Sequence, residues 1–288
     1  MKFAIDAPHF GPYADARVLA GLAHDAEEAG WDGFFIWDHV MFAETTPMVD
    51  ATVALTAIAM STQRIRFGAM ITPLARRRPT KLARETVSLD RLSNGRLVLG
   101  VGLGADGAEY EGFGEATDHK TRAAMLDEGL DVLTKLWHGE RFTHQGTHYT
   151  VKDALFTPTP VQQPRIPIWV AGIWPNKAPF RRAARWDGVA PLWQEQGFDN
   201  MVPAPMVKEI VAYIRSQRAT DAPFAVTHWG ILPQKDSERA SVVAEYAEAG
   251  VTWWRENISP FRFGGGWNDN WDLQRMRAVI LQGPPQMK

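Results

Sequence analysis

A closed (β/α)8 barrel, of the α/β class, is the fold that this sequence predicts, on three observations. Short apolar runs alternate with segments of helical periodicity eight times along the chain. Helix-end corners recur in similar words: Glu28-Ala29-Gly30-Trp31-Asp32-Gly33-Phe34, Arg185-Trp186-Asp187-Gly188-Val189 and Glu248-Ala249-Gly250-Val251. Each reads as a helix end, a glycine turn and an entering strand, and such repeated corners suit a closed ring of repeated units. The 288 residues read as one domain over 1–288, because barrels of roughly 250 residues routinely form a single domain. A doubly wound open sheet is the rival architecture, but it does not need eight units.

The elements follow in order. Strand one is read at 3–8 (FAIDAP). Its helix covers 16–29, with Leu19, Leu22, Ala23 and Ala26 on one face and Gly30 as the stop. Strand two is Phe34 to His39, followed by a helix from Val49 to Ser61. Strand three is Arg66 to Thr72, and Pro79 suits the first position of the next helix, which ends at Ser93-Asn94-Gly95. Strand four, Arg96 to Val101, runs into Gly102-Leu103-Gly104 and an irregular insertion over 105–119. A helix bearing Leu126, Leu130, Leu133 and Trp137 precedes a β-hairpin at 141–157 with its turn at Gln145-Gly146. Strands five to eight are Ile166–Ala171, Gly188–Leu192, Phe224–Gly230 and Val251–Glu256, with helices at 177–186, 201–218, 236–249 and 270–282.

Composition narrows the function. Formal net charge is −2, which argues against a general nucleic-acid binder. The chain has no cysteine, which removes disulfides, thiolate metal sites and thiol nucleophiles. The beginning MKFAIDAPHFG reads as a strand rather than a signal peptide, and no apolar run approaches the ~18 residues of a membrane span. A soluble cytoplasmic protein is expected. His144 and His148 flank the hairpin turn and are too few for a metal site; surface positions are expected for them, and no metal.

In a barrel the chemistry sits at the C-terminal strand ends. Strand two closes in Trp37-Asp38-His39. Alternation places Trp37 and His39 on one face and Asp38 on the other. Either Asp38 caps the next segment and His39 is a rim residue, or His39 is a proton donor or acceptor with Asp38 as its hydrogen-bond partner. Gly100, Gly102 and Gly104 fit the loose G-x-G-x-x-G/A pattern, yet no helix opens directly behind them. They read as glycines that let backbone approach a ligand. Gly172-Ile173-Trp174, ahead of a helix, reads as an anion loop, and Arg76-Arg77-Arg78 could draw an anionic cofactor tail. Trp37, Trp174 and Trp193 form a tryptophan-rich mouth for an apolar substrate, and His228 and Glu256, on strands seven and eight, join Trp37 and Trp193 as candidate substrate-pocket residues.

Several segments, in this order, resemble the bacterial luciferase-like family: Gly33-Phe-Phe-Ile-Trp-Asp-His39, Ser93-Asn-Gly-Arg-Leu-Val-Leu-Gly-Val-Gly-Leu-Gly104, Glu109-Tyr-Glu-Gly-Phe-Gly114, and Leu126-Asp-Glu-Gly-Leu-Asp-Val-Leu-Thr-Lys-Leu-Trp137 followed by Gly146-Thr-His-Tyr149. The resemblance covers essentially the whole chain. It implies a TIM barrel with the insertion after strand four, and an oxidoreductase. Reduced FMN is the first implied cofactor, in a monooxygenase acting on a small apolar substrate and served by a separate flavin reductase. F420-dependent hydride transfer is the alternative, and a non-catalytic flavin-binding barrel the second. A homodimer is left open. By position, Asp38 and His39 match the motif facing the cofactor ring, with the histidine as acid/base. Ala69-Met70 matches a strand-three bulge or non-proline cis peptide. Gly104 to Ala108 matches the loop on the cofactor chain, and Gly172, Ile173 and Trp174 the phosphate loop. Where F420 sugar-phosphate dehydrogenases of the family carry an acid, this chain has Ala105, which argues against that activity.

Overall fold

The computed structural model describes residues 1–42, 46–105, 107–195 and 201–285. Its elements run β1 (Lys2–Ala7), α1 (Ala16–Glu28), β2 (Gly33–Ile36), α2 (Ala51–Ser61), β3 (Arg66–Ala69), β4 (Thr72–Pro73), α3 (Pro79–Leu92) and β5 (Leu99–Gly102). Then come α4 (Ala108–Glu111), α5 (His119–His138), β6 (Phe142–Gln145), β7 (Thr150–Ala154), β8 (Ile168–Trp174), α6 (Lys177–Ala183) and β9 (Gly188–Trp193). The chain continues through α7 (Ala204–Gln217), β10 (Ala225–Gly230), α8 (Asp236–Glu248), β11 (Trp253–Asn257) and α9 (Leu273–Gln282).

The parallel sheet has the order β3-β2-β1-β11-β10-β9-β8-β5-β4. Its two ends, β3 and β4, are halves of the third barrel strand, separated by Met70-Ile71, and a parallel bridge between Phe67 and Leu97 joins β3 to the approach of β5. The ring is therefore closed, as the alternating pattern predicts. The break in strand three was expected at Ala69-Met70; the cis peptide lies one residue later, at Met70-Ile71.

The recurrent corners have a physical basis. Asp32 accepts the N–H of Phe3 at 2.9 Å, and Asp187 accepts that of Ile168 at 2.9 Å. In both, the aspartate after the helix satisfies the backbone of the neighbouring strand start. Other boundaries shift. Strand two stops at Ile36, three residues before His39, and strand five continues to Trp174, pairing Gly172 with Pro191 and Trp174 with Trp193. The anion-loop reading is corrected by this pairing. A Cβ on Gly172 would lie 2.7 Å from Pro179 Cβ, so the glycine lets α6 press against the sheet.

The insertion is present, with α4 inside it; its residue 106 lies outside the described residues. The antiparallel β6–β7 hairpin turns over 146–149, slightly later than expected. Glu128 of α5 accepts the N–H groups of Thr147, His148 and Tyr149, and His144 is half-buried against the same carboxylate rather than at the surface.

Alternation divides the core into two layers. One lies between sheet and helices and includes Ile5, Phe34, Phe67 and Trp254. The other fills the barrel with Ala4, Phe35, Met70, Val98, Trp169 and Trp253. Trp169 stands 5.5 Å from Phe35 and 5.4 Å from Trp253, ring to ring, and this layer forms the floor beneath the C-terminal mouth.

Candidate active site

Above that floor lies a cavity of about 330 Å³. Its walls are chiefly apolar, with Trp37, Ile71, Ile173 and Trp193 prominent, and Asp6 and Arg255 supply its charged groups. Two glycines of β5 pack behind the Met70-Ile71 wall. A Cβ on Gly100 would meet Ala69 O at 2.4 Å, and one on Gly102 would meet Ile71 Cδ1 at 2.9 Å. Bare backbone here keeps the Met70-Ile71 segment back from the cavity. The close approach these glycines permit is to strand three, not directly to a ligand.

His39 stands beside the cavity, its ring 5.9 Å from that of Trp37. Its Nδ1 meets Glu109 Oε2 at 2.9 Å. Glu109 comes from α4 and accepts further hydrogen bonds from Val40 N–H at 2.7 Å and Arg76 at 2.9 Å. Burial pushes the Glu109 carboxyl up, but the His39 hydrogen bond and charge, the Val40 N–H and the Arg76 charge together hold it down at about 2. It is therefore ionised near neutrality and holds the Nδ1 side of the ring. Nε2 has no hydrogen-bond partner among the described residues and is the atom left to exchange a proton with a ligand. Behind His39 lies the fully buried ring of His9, whose Nε2 lies 3.2 Å from the His39 carbonyl oxygen and 3.3 Å from its backbone nitrogen. Burial brings His9 down to about 4, so this ring is neutral.

Asp38 does not partner His39. It points into the outer layer, where one Arg77 nitrogen donates to both its oxygens at 2.7 Å, and Arg76 lies 3.5 Å away. The arginine run thus acts inward: Arg76 and Arg77 hold carboxylates, while Arg78 stays exposed.

The other expected site residues divide. Trp37, Met70, Ile173 and Trp193 line the cavity. Ala69 belongs to the sheet–helix layer. Trp174 faces the same layer, 5.2 Å from Phe180, with the Lys177 ammonium 3.2 Å from its ring centre, so its ring packs under α6 rather than lining the cavity. Gly104 has φ +81° and leaves room for the Tyr110 hydroxyl, and Ala108 is exposed at the start of α4.

His228 and Glu256 also face outward, which corrects their placement in the substrate pocket. His228 is wholly buried 4.2 Å from the Tyr246 ring, and burial lowers it to about 3. Glu256 is tied to Arg262, Trp254 Nε1 and Leu232 N–H. The period-two pleat explains both: Trp229 and Arg255 take the inward positions that their neighbours leave.

Sequence reasoning also missed the Asp6–Arg255 pair. The arginine Nη1 donates to Asp6 Oδ2, and Trp37 Nε1 donates to Oδ1 at 2.7 Å. Burial raises the Asp6 carboxyl even against the Arg255 charge and these hydrogen bonds. The one sequence signal was a lone acid in the apolar first strand, two places along the pleat from Ala4.

Fold and site together define an α/β-barrel protein with a ligand cavity at the C-terminal strand ends and a histidine–carboxylate pair at its edge. Residues 1–213 match the family described as luciferase-like monooxygenase, and the chain belongs to that family. It is 33% identical over 176 residues to an F420-dependent glucose-6-phosphate dehydrogenase of Microbacterium testaceum, covering 60% of this chain and 51% of the relative. The chain thus spans about half the length of the curated relatives it matches. Among solved structures, an F420-dependent secondary alcohol dehydrogenase bound to an F420–acetone adduct superposes with TM-score 0.74 at 16% identity, covering 89% of this chain and 92% of that one. The oxygenating constituent of a Pseudomonas putida 3,6-diketocamphane monooxygenase, bound to FMN, gives TM-score 0.63 at 20% identity, covering 85% and 71%. These likenesses establish the barrel. Among the described residues, no helix is long and apolar enough to cross a membrane, and no group of three or more His, Asp or Glu is placed to hold a metal ion.

Proposed function

We propose that this protein is an oxidoreductase that exchanges hydride with a deazaflavin of the F420 type while His39 carries the accompanying proton. The observation that carries the reading is the His39–Glu109 pair beside an apolar cavity. The F420-dependent relatives at 33% and 34% identity favour the deazaflavin over FMN. This reverses the order expected from sequence.

The residues fit a planar heteroaromatic ring. The cavity lies at the lower end of the roughly 300–1,000 Å³ of small-molecule sites. Side chains at Gly100 or Gly102 would displace the Met70-Ile71 wall that borders it. Met70, Ile71, Ile173 and Trp193 would hold the ring. When bound, the deazaflavin supplies or accepts the hydride. The chain's own residues do the rest. The aromatic walls exclude water and orient the substrate. Glu109, fixed by Arg76, keeps Nδ1 of His39 engaged, so that Nε2 takes the proton from a substrate hydroxyl or returns it to a carbonyl.

An FMN-dependent monooxygenase supplied by a flavin reductase is the second reading. The FMN-bound fold neighbour and the apolar cavity walls favour it. Tryptophan-quenching titrations with F420 and with FMN separate the two, because Trp37, Trp193 and Trp229 all line the cavity. F420 is expected to bind at least tenfold more tightly. The reverse order overturns the deazaflavin reading, and binding of neither overturns both. Mass spectrometry of cofactor retained from a host that makes both gives an independent check.

A further inference from the structure

Most polar groups inside the barrel are paired, but one wall is an exception. Arg255 is 5% exposed and lines the cavity with Asp6. Its Nη1 is on Asp6, whereas its Nε has no hydrogen-bond partner among the described residues. On the same strand, one inward position further towards the mouth and in register with Asp6, Asn257 has both carboxamide atoms unpartnered. The hydroxyls of Thr227 and Ser259 likewise have no partner among the described residues, and these three residues are fully buried. Buried donors and acceptors are ordinarily satisfied, so the free Nε of a cavity-lining arginine, with further unpartnered groups on its own strand and the adjoining one, marks where a ligand atom completes the network.

The charge balance states which atom. Asp6 already neutralises Arg255. A second carboxylate, or a phosphate, would leave net negative charge in a low-dielectric site. A neutral oxygen leaves the balance intact. A hydroxyl or a carbonyl oxygen accepts from the Arg255 guanidinium, and a hydroxyl seated in this way keeps its own proton for His39 Nε2.

We propose that the Asp6–Arg255 pair seats a neutral hydroxyl or carbonyl oxygen of the substrate, making the substrate an uncharged alcohol or carbonyl compound with an apolar body. This deepens the proposed function and rests on its reading of the cavity as a small-molecule site. It runs counter to a phosphorylated sugar as substrate. A carbonyl on the cofactor ring offers the same chemistry, and the experiment separates the two sources.

The test measures binding by tryptophan fluorescence in the full chain, with the alcohol paired with reduced F420 and the ketone with oxidised F420 so that no hydride can move, and with oxidised FMN as the second cofactor. The probes are cyclohexanol, cyclohexanone, cyclohexanecarboxylate and methylcyclohexane. The alcohol and ketone are expected to bind at least tenfold more tightly than the hydrocarbon and the carboxylate. In the charge-neutral double variant Asp6→Asn/Arg255→Met, the preference over methylcyclohexane should fall below twofold while cofactor affinity stays within threefold of wild type. The conservative Arg255→Lys should retain part of the preference, and it provides the comparison if the double variant does not fold. Carboxylate binding tightest, hydrocarbon binding equally well, or a preference unchanged in both variants overturns the proposal. Lost cofactor affinity with intact probe selectivity assigns the pair to the cofactor and also overturns it. Absence of F420 or FMN turnover with the probe preference intact overturns the proposed reaction instead.

Discussion

Replacing Glu109 by glutamine tests the centre of the proposed site. The substitution keeps the shape of the side chain but removes the charge that engages His39 Nδ1 at 2.9 Å and Arg76 at 2.9 Å. Held at about 2 instead of the ordinary 4.5, the carboxylate is favoured in the folded state by roughly 3 kcal/mol, at about 1.36 kcal/mol per pH unit. Because the folded value lies below the unfolded one, this stabilisation is complete above about pH 4.5 and is lost as pH falls through about 2. At pH 7 the variant should lose up to about 3 kcal/mol in urea unfolding, while wild type and variant converge in acid. Catalysis should change separately. A glutamine accepts from or donates to Nδ1 equally well, so the tautomer is no longer set, and turnover should fall on the order of 100-fold, the scale of general acid–base assistance. The pH profile of kcat/KM should move with it, a change that a merely structural glutamate would not produce. A variant with a wild-type pH profile and turnover within twofold of wild type would remove Glu109 from the proton path.

Four further outcomes are expected. His39→Ala should lower turnover on the order of 100-fold or more with cofactor affinity little changed, read by steady-state kinetics beside a binding titration. Asp38→Asn should cost roughly 2–3 kcal/mol, less than a fully buried pair because Arg77 is partly exposed; its kcat/KM pH profile should match wild type, and a shifted profile would return Asp38 to the chemistry. Gly172→Val should destabilise by about 1–3 kcal/mol through the clash with Pro179, not through a lost phosphate site, so an unaltered melting temperature would contradict the packing account. His228, neutral in the fold and lowered to about 3 from 6.5, favours the unfolded chain as pH falls from about 6.5; His228→Leu should therefore lose less stability than wild type between pH 7 and 4.5, measured by denaturant midpoints.

The barrel was legible because its signals are local. Apolar runs and helix stops recur within a few residues of one another, and Asp32 and Asp187 make the same corner bond wherever the motif stands. The site was less legible because its bonds are not local. His39 and Glu109 are 70 residues apart, and Asp6 and Arg255 are 249 apart. Nothing in either neighbourhood announces the partner. Gly172 failed differently. A glycine before a proline and a helix cap reads as a turn, yet a glycine inside a strand also marks the close approach of a packed element. The pairing of Trp174 with Trp193 decides for the second meaning.

The direction of Asp38 follows from the geometry of extended chain. Asp38 adjoins His39 in sequence, which makes it look like a natural partner, but adjacent residues of extended chain point to opposite sides. A histidine directed at the barrel mouth therefore places its neighbouring aspartate in the layer beneath the helices, where Arg77 meets it. The carboxylate that orients the histidine must arrive from a different element on the mouth side. The segment after β5 is placed to bring one, and it does so through Glu109 on the single turn of α4. The loop that most resists sequence reading thus supplies the carboxylate of the proposed His39–Glu109 pair, and substitutions in it should alter the pH profile that His39 sets.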